Sequence, residues 1–144
     1  MKKMMVAIFL AVMSASFVFA KEVPMDPSQL KGIWEGTIEF SSGPGRGQSI
    51  FSVLEILNGE EPLKGVLTNT IPMGGGVISS PFENGILKKG KKGELVLVVK
   101  WEGGRSRSME LRLYADKKGK MYLRGDFSWD NGVGRLLLYK KEIN

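Results

Sequence analysis

The sequence predicts an all-β fold, a closed antiparallel up-and-down meander barrel of about eight strands. Three observations lead there. From Gly32 onward apolar and polar residues alternate with a period of two, the signature of strands with one buried face. The alternating segments are separated by short runs of Gly, Asn, Asp and Lys, as hairpin connections are. No segment carries three turns of amphipathic helix, so the crossovers that parallel strands require are missing. An open sheet of this size leaves two edges exposed, and pairing the first strand with the last hides both. A β-sandwich is the alternative.

Residues 21 to 31, with Pro24 and Pro27, read as an extended lead-in, or at most a short helical turn around Pro27 to Leu30. The first strand places Trp34, Gly36, Ile38 and Phe40 on one face and Ile33, Glu35, Thr37 and Glu39 on the other. A Gly/Ser-rich loop follows from Ser41 to Gln48. In the second strand, about Ser49 to Leu57, Phe51, Val53 and Leu57 oppose Ile50, Leu54 and Ile56, which predicts cover on both faces. Asn58-Gly59 reads as a two-residue hairpin turn. A third strand, Leu63 to Thr70, leads into the turn Ile71 to Gly75. The section from Val77 to Lys89 has two readings: one strand bulged near Pro81, or two short ones joined through Asn84-Gly85.

Beyond it the alternation is regular. Leu95, Leu97, Val99 and Trp101 form one stripe, Met109, Leu111 and Leu113 the next, and Met121, Leu123, Gly125, Phe127 and Trp129 a third. Turns lie at Glu102 to Gly104, Asp116 to Gly119 and Asp130 to Gly132, and Val133 to Lys141 forms the last strand.

Residues 1 to 20 read as a secretory signal peptide: Lys2 and Lys3, then an apolar run, then the small residue Ala20. Cleavage there leaves 124 residues with 19 basic and 15 acidic side chains, a net charge of +4, enough for a single domain spanning residues 32 to 144. The expected location is the periplasm or outside the cell, with no integral membrane span after cleavage. The absence of cysteine excludes disulfides, thiol nucleophiles and thiolate metal sites. The absence of histidine removes the commonest proton shuttle and zinc ligand, and no metal or cofactor is expected.

Leu30-Lys31-Gly32-Ile33-Trp34 opens the first strand with a Gly-x-Trp pattern that resembles the start of calycin barrels, the group of lipocalins, fatty-acid-binding proteins and avidins. The resemblance implies structural roles for Gly32 and Trp34, with the tryptophan closing one end of the barrel and the other end holding a small apolar ligand. The Thr-Asp-Tyr motif of lipocalins is absent and the biotin-binding set of avidins has no counterpart, so neither ligand is carried over.

In a meander the turns alternate between two ends. Lys88, Lys89, Lys91 and Lys92 share one end with Lys117, Lys118 and Lys120, a basic patch suited to an anionic envelope component such as lipid headgroups or acidic polysaccharide. The other end gathers the glycine-rich loops, with Met73, Trp101, Arg105 and Trp129 as candidate ligand-binding residues at a pocket mouth. The loop Ser42 to Gln48, with Arg46, is a candidate anion cradle. Glu35 with Glu39, and Asp126 with Asp130, are the carboxylate pairs a hydrolase would need.

The sequence therefore points first to an exported noncatalytic binding protein for a small apolar or amphipathic ligand. The alternatives are a solid-core module that uses its lysine-rich end on an anionic envelope component or partner protein, and a carboxylate-based hydrolase. Nucleic acid is not an expected partner, because the aromatics fall mainly on apolar faces rather than interleaving with exposed arginines.

Overall fold

The computed structural model describes residues 21–22, 26–91, 95–102, 106–129 and 132–142. Residues 1 to 20, which carry the expectation of export, lie outside these, as do Lys92, Arg105 and Asp130.

A two-residue strand, β1 (Lys21–Glu22), and a single helical turn, α1 (Pro27–Leu30), precede the barrel. Asp26 caps α1 by accepting from the Ser28 amide at 3.1 Å. Alternation then becomes wall in eight strands: β2 (Gly32–Phe40), β3 (Ser49–Ile56), β4 (Leu63–Ile71), β5 (Gly76–Lys89), β6 (Leu95–Trp101), β7 (Arg107–Ala115), β8 (Met121–Trp129) and β9 (Gly132–Lys140). Each pairs antiparallel with the next, and β2 pairs with β9 from Trp34↔Lys140 to Phe40↔Gly134, which closes the barrel and excludes the sandwich. β1 pairs with Tyr114 and Ala115, where β7 runs on past the end of β6.

The inward stripes meet as the sequence predicts. Trp34, Ile38, Leu54, Leu67, Leu97, Leu111, Leu123 and Leu136 are all fully buried in one core. Two glycines let the wall fold sharply enough to close. A Cβ on Gly36 would sit 1.8 Å from the Leu137 carbonyl oxygen, and one on Gly125 would sit 1.7 Å from that of Glu110. Both points of close approach are therefore open to glycine alone.

Of the two readings of residues 77–89 the single bulged strand holds: β5 is continuous, and its extra residue falls between Phe82 and Gly85, opposite the step from Leu63↔Gly85 to Gly65↔Phe82. Two expectations change. β3 is covered on one face only: Ile50, Ser52, Leu54 and Ile56 face in, whereas Phe51 is 51% exposed. Asn58-Gly59 does not make a two-residue turn, because β3 stops at Ile56 and β4 starts at Leu63. The Asn58 side chain instead holds the longer loop, donating to the carbonyls of Glu60 and Pro62 and accepting from the Lys64 amide.

The β5–β6 seam is the short one, zipped only from Ile86↔Val98 to Lys89↔Leu95. Beyond it side chains replace the ladder. Asn84 Nδ2 donates to the Lys100 carbonyl at 2.8 Å, and the Trp101 indole N–H reaches the carbonyls of Ser80 and Pro81 at 3.2 and 3.0 Å.

Candidate binding site at the glycine-rich end

The ends of the barrel differ in kind. One is plugged: Trp34 is fully buried, and its indole N–H donates to the Leu30 carbonyl at 2.9 Å, tying α1 across the opening. Gly32, at φ +136°, directs the chain from α1 into β2. The lysines gather around this plug. Lys88, Lys89 and Lys91 lie at or just past the end of β5, and Lys117, Lys118 and Lys120 lie between β7 and β8. Several already have partners: Lys120 lies over the Tyr139 ring, Lys140 donates to the Gln29 carbonyl, and Lys141 stands 3.3 Å from Glu35.

The opposite end holds a cavity of about 50 Å³ between Phe40, Ile50, Ile71, Ile78, Phe127 and Trp129, with Asn69 and Arg107 as its polar members. Arg107 is there by strand phase, two residues before the inward-facing Met109 on β7. Its Nη1 donates to the hydroxyl of Ser80, itself 2% exposed, and its guanidinium carbon lies 5.5 Å from the centre of the Trp101 ring. Its Nε is buried and has no hydrogen-bond partner, and among the described residues no carboxylate pairs with it. Ser52 and Asn69 bond to one another at 2.7 Å beside the same space. The chemistry available is that of a positive, planar donor set with a spare N–H in an apolar mouth, suited to a carboxylate or similar small anion. Ligand pockets for drug-sized molecules span about 300 to 1,000 Å³, so this cavity is several-fold too small to enclose one.

The candidates read from the sequence fall unevenly around this site. Trp129 lines the cavity, and Trp101 backs it, edge-on to Phe82 and Phe127 with ring centres 6.0 and 6.3 Å away. Met73 is at the tip of the β4–β5 hairpin, wholly exposed and away from the cavity. Arg105 lies outside the described residues. Sequence reasoning missed Arg107, Ser80 and Asn69, although the Met109, Leu111, Leu113 stripe extended back by two positions reaches Arg107.

Other candidates are not assembled into sites. The loop 41–48 uses its own amides, with Arg46, Gly47 and Gln48 donating to the carbonyls of Gly43, Phe40 and Gly45, so those amides are not free to cradle an anion. Asp126 faces out and stands 3.9 Å from Arg135, both well exposed. Among the described residues no cluster of carboxylates could hold a metal ion.

One surface feature runs against expectation. Tyr114, Tyr122 and Tyr139 form a ladder across the outside of β7, β8 and β9, with ring centres 5.3 and 5.5 Å apart, beside Arg112 and Arg124 in the neighbouring row. Aromatic and basic side chains therefore do interleave on the outer wall. Tyr114 and Tyr122 are stacked within 16° of parallel, so each covers one face of the other.

No family model, curated protein or solved structure matches this chain.

Proposed function

We propose that this chain is a noncatalytic, calycin-like binding barrel that works outside the cytoplasm and receives the anionic end of a small amphipathic ligand at its glycine-rich mouth. The observation that carries the reading is Arg107: a guanidinium between Trp101 and Ser80, lining an apolar cavity, with its Nε buried and unpartnered. A buried N–H without an acceptor costs about 1–3 kcal/mol, and an arriving carboxylate supplies the acceptor together with the missing counter-charge.

The test is native mass spectrometry of protein purified from the exported fraction, followed by denaturing extraction. The expected result is a stoichiometric small acid that Arg107→Met no longer retains. A bare mass that stays bare after equilibration with short and long alkyl carboxylates refutes the reading.

The small interior volume favours a second reading, in which the filled barrel is a scaffold and the lysine end meets an anionic envelope component. Binding to anionic vesicles or acidic polysaccharide that is lost at high salt and reduced by Lys117→Glu and Lys118→Glu would select it.

A further inference from the structure

The β4–β5 hairpin differs in composition from the rest of the barrel. Although a quarter of all residues in the chain are charged, no charged residue occurs between Lys64 and Glu83. That is the longest uncharged run after residue 20. Its tip, Ile71-Pro72-Met73-Gly74-Gly75-Gly76-Val77-Ile78, projects large apolar side chains into solvent: Met73 is 103% exposed, Val77 63% and Ile78 41%. Strand pairing adds a fourth, since Phe51, 51% exposed, pairs with Thr70, which in turn pairs with Val77. Half of the exposed large apolar side chains of the described residues thus sit on one corner. Patches of this kind mark docking surfaces.

We infer that this corner docks shallowly on a lipid surface, so that the mouth beside it collects or delivers its ligand there. Two features select lipid over a protein partner. Protein interfaces hold about one hydrogen bond per 100–200 Å² and rely on polar side chains for specificity, whereas the hairpin carries no charged residue from 65 to 82 and exposes Met73, Val77 and Ile78. The corner is also continuous with the mouth, because Ile71 and Ile78 belong to the hairpin and line the cavity as well. A ligand whose anionic head lies at Arg107 has its tail leading out along that same apolar hairpin. The lysines, which would bind an anionic surface by charge, are at the opposite end, and the hairpin itself carries no cation, so docking through its tip rests on apolar contact. The inference rests on reading the glycine-rich end as a ligand mouth.

The absence of cysteine makes a clean test. Met73→Cys carries an environment-sensitive dye, and Lys118→Cys carries the same dye at the far end as control. With vesicles of neutral phosphatidylcholine the expected result is a blue shift for the dye at position 73 and none at 118. Unlabelled protein should pellet with the same vesicles, and Met73→Asp with Val77→Asp should lower that partitioning at least ~tenfold. Both substitutions are at exposed positions, Asp tolerates the left-handed backbone of Met73 at φ 60°, and near-UV circular dichroism confirms the fold. No pelleting with neutral vesicles overturns the proposal. So does binding that requires anionic lipid and salt-sensitive contacts with no shift at position 73. A shift that appears without lipid and rises with protein concentration overturns it too, by making a second copy of the chain the occupant. The unsubstituted protein separates the two readings: vesicle docking with no acid retained leaves the hairpin standing and removes the ligand mouth, and acid uptake without docking does the reverse; Arg107→Met should lose the acid and keep the docking.

Discussion

Gly36→Ala tests the account of barrel closure most directly. An alanine Cβ there would lie 1.8 Å from the Leu137 carbonyl oxygen, 2.9 Å from its carbon and 3.0 Å from Leu138 Cα. All three are backbone atoms, so no side chain can swing aside, and β9 must retreat from β2 until the contact is relieved. That retreat stretches the ladder around Gly36↔Leu138 near the middle of the seam that closes the barrel. Two ladder bonds at about 0.5–1.5 kcal/mol each, added to about 1–3 kcal/mol of overpacking strain, amount to ~2–6 kcal/mol. Small domains are stable by about 5–15 kcal/mol in total, so the variant should lose a large part of its stability. The assay is urea denaturation followed by tryptophan fluorescence. Gly74→Ala is the comparison: Gly74 sits at φ +81°, and a Cβ there would meet nothing within 4 Å, so the variant should lose only the left-handed backbone penalty of about 1–2 kcal/mol. If Gly36→Ala costs no more than Gly74→Ala, close approach of the strands is not what reserves that position for glycine.

Four further outcomes follow from the same structure. Arg107→Met should raise the urea midpoint, by about 1–2 kcal/mol in stability, since the guanidinium has no carboxylate partner among the described residues and relieving its desolvation outweighs the lost bond to Ser80 and the contact with the Trp101 ring; a loss of stability would mean that Arg107 serves the fold. Trp34→Phe should cost about 2–3 kcal/mol, because it removes the donor to the buried Leu30 carbonyl and leaves space beneath α1, and calorimetry checks it. Asn84→Ala should speed hydrogen exchange of amides along the β5–β6 seam while leaving the β2–β9 seam unchanged, since its side chain takes over the Lys100 carbonyl where the backbone ladder ends. Asp126→Asn should change stability by less than about 0.5 kcal/mol, its partner Arg135 being 3.9 Å away and both side chains exposed.

The legible parts of the site and the missed parts differ in a physical way. Trp129 and Trp101 were legible because each ends a clean alternating stripe, so phase alone turns them inward beside a turn. Arg107 has the same phase, yet a charged residue next to a turn ordinarily faces water. Only the convergence of β5, β6 and β7 puts Ser80, Trp101 and Arg107 within reach of one another. Met73 lies in the same group of loops, and its position at the tip of the β4–β5 hairpin leaves it wholly exposed rather than among the residues that line the cavity. The tyrosine ladder was hidden likewise, since Tyr114, Tyr122 and Tyr139 become neighbours only through the registers of β7–β8 and β8–β9.

By itself the sequence determined the class of fold, the faces of most strands, the separation of a lysine end from a glycine-rich end, and the inward place of Trp34. Each of these follows from side-chain period and turn chemistry, which act over a few residues. The tertiary structure decided the rest: that residues 76–89 run as one strand, that Asn58 braces the loop between β3 and β4, that glycine is required at positions 36 and 125, and that one arginine stands inside the mouth. Those outcomes depend on which carbonyl lies opposite which Cα, and on which side chains arrive at one point from distant strands. Such distances are set by register and closure, which no local pattern contains.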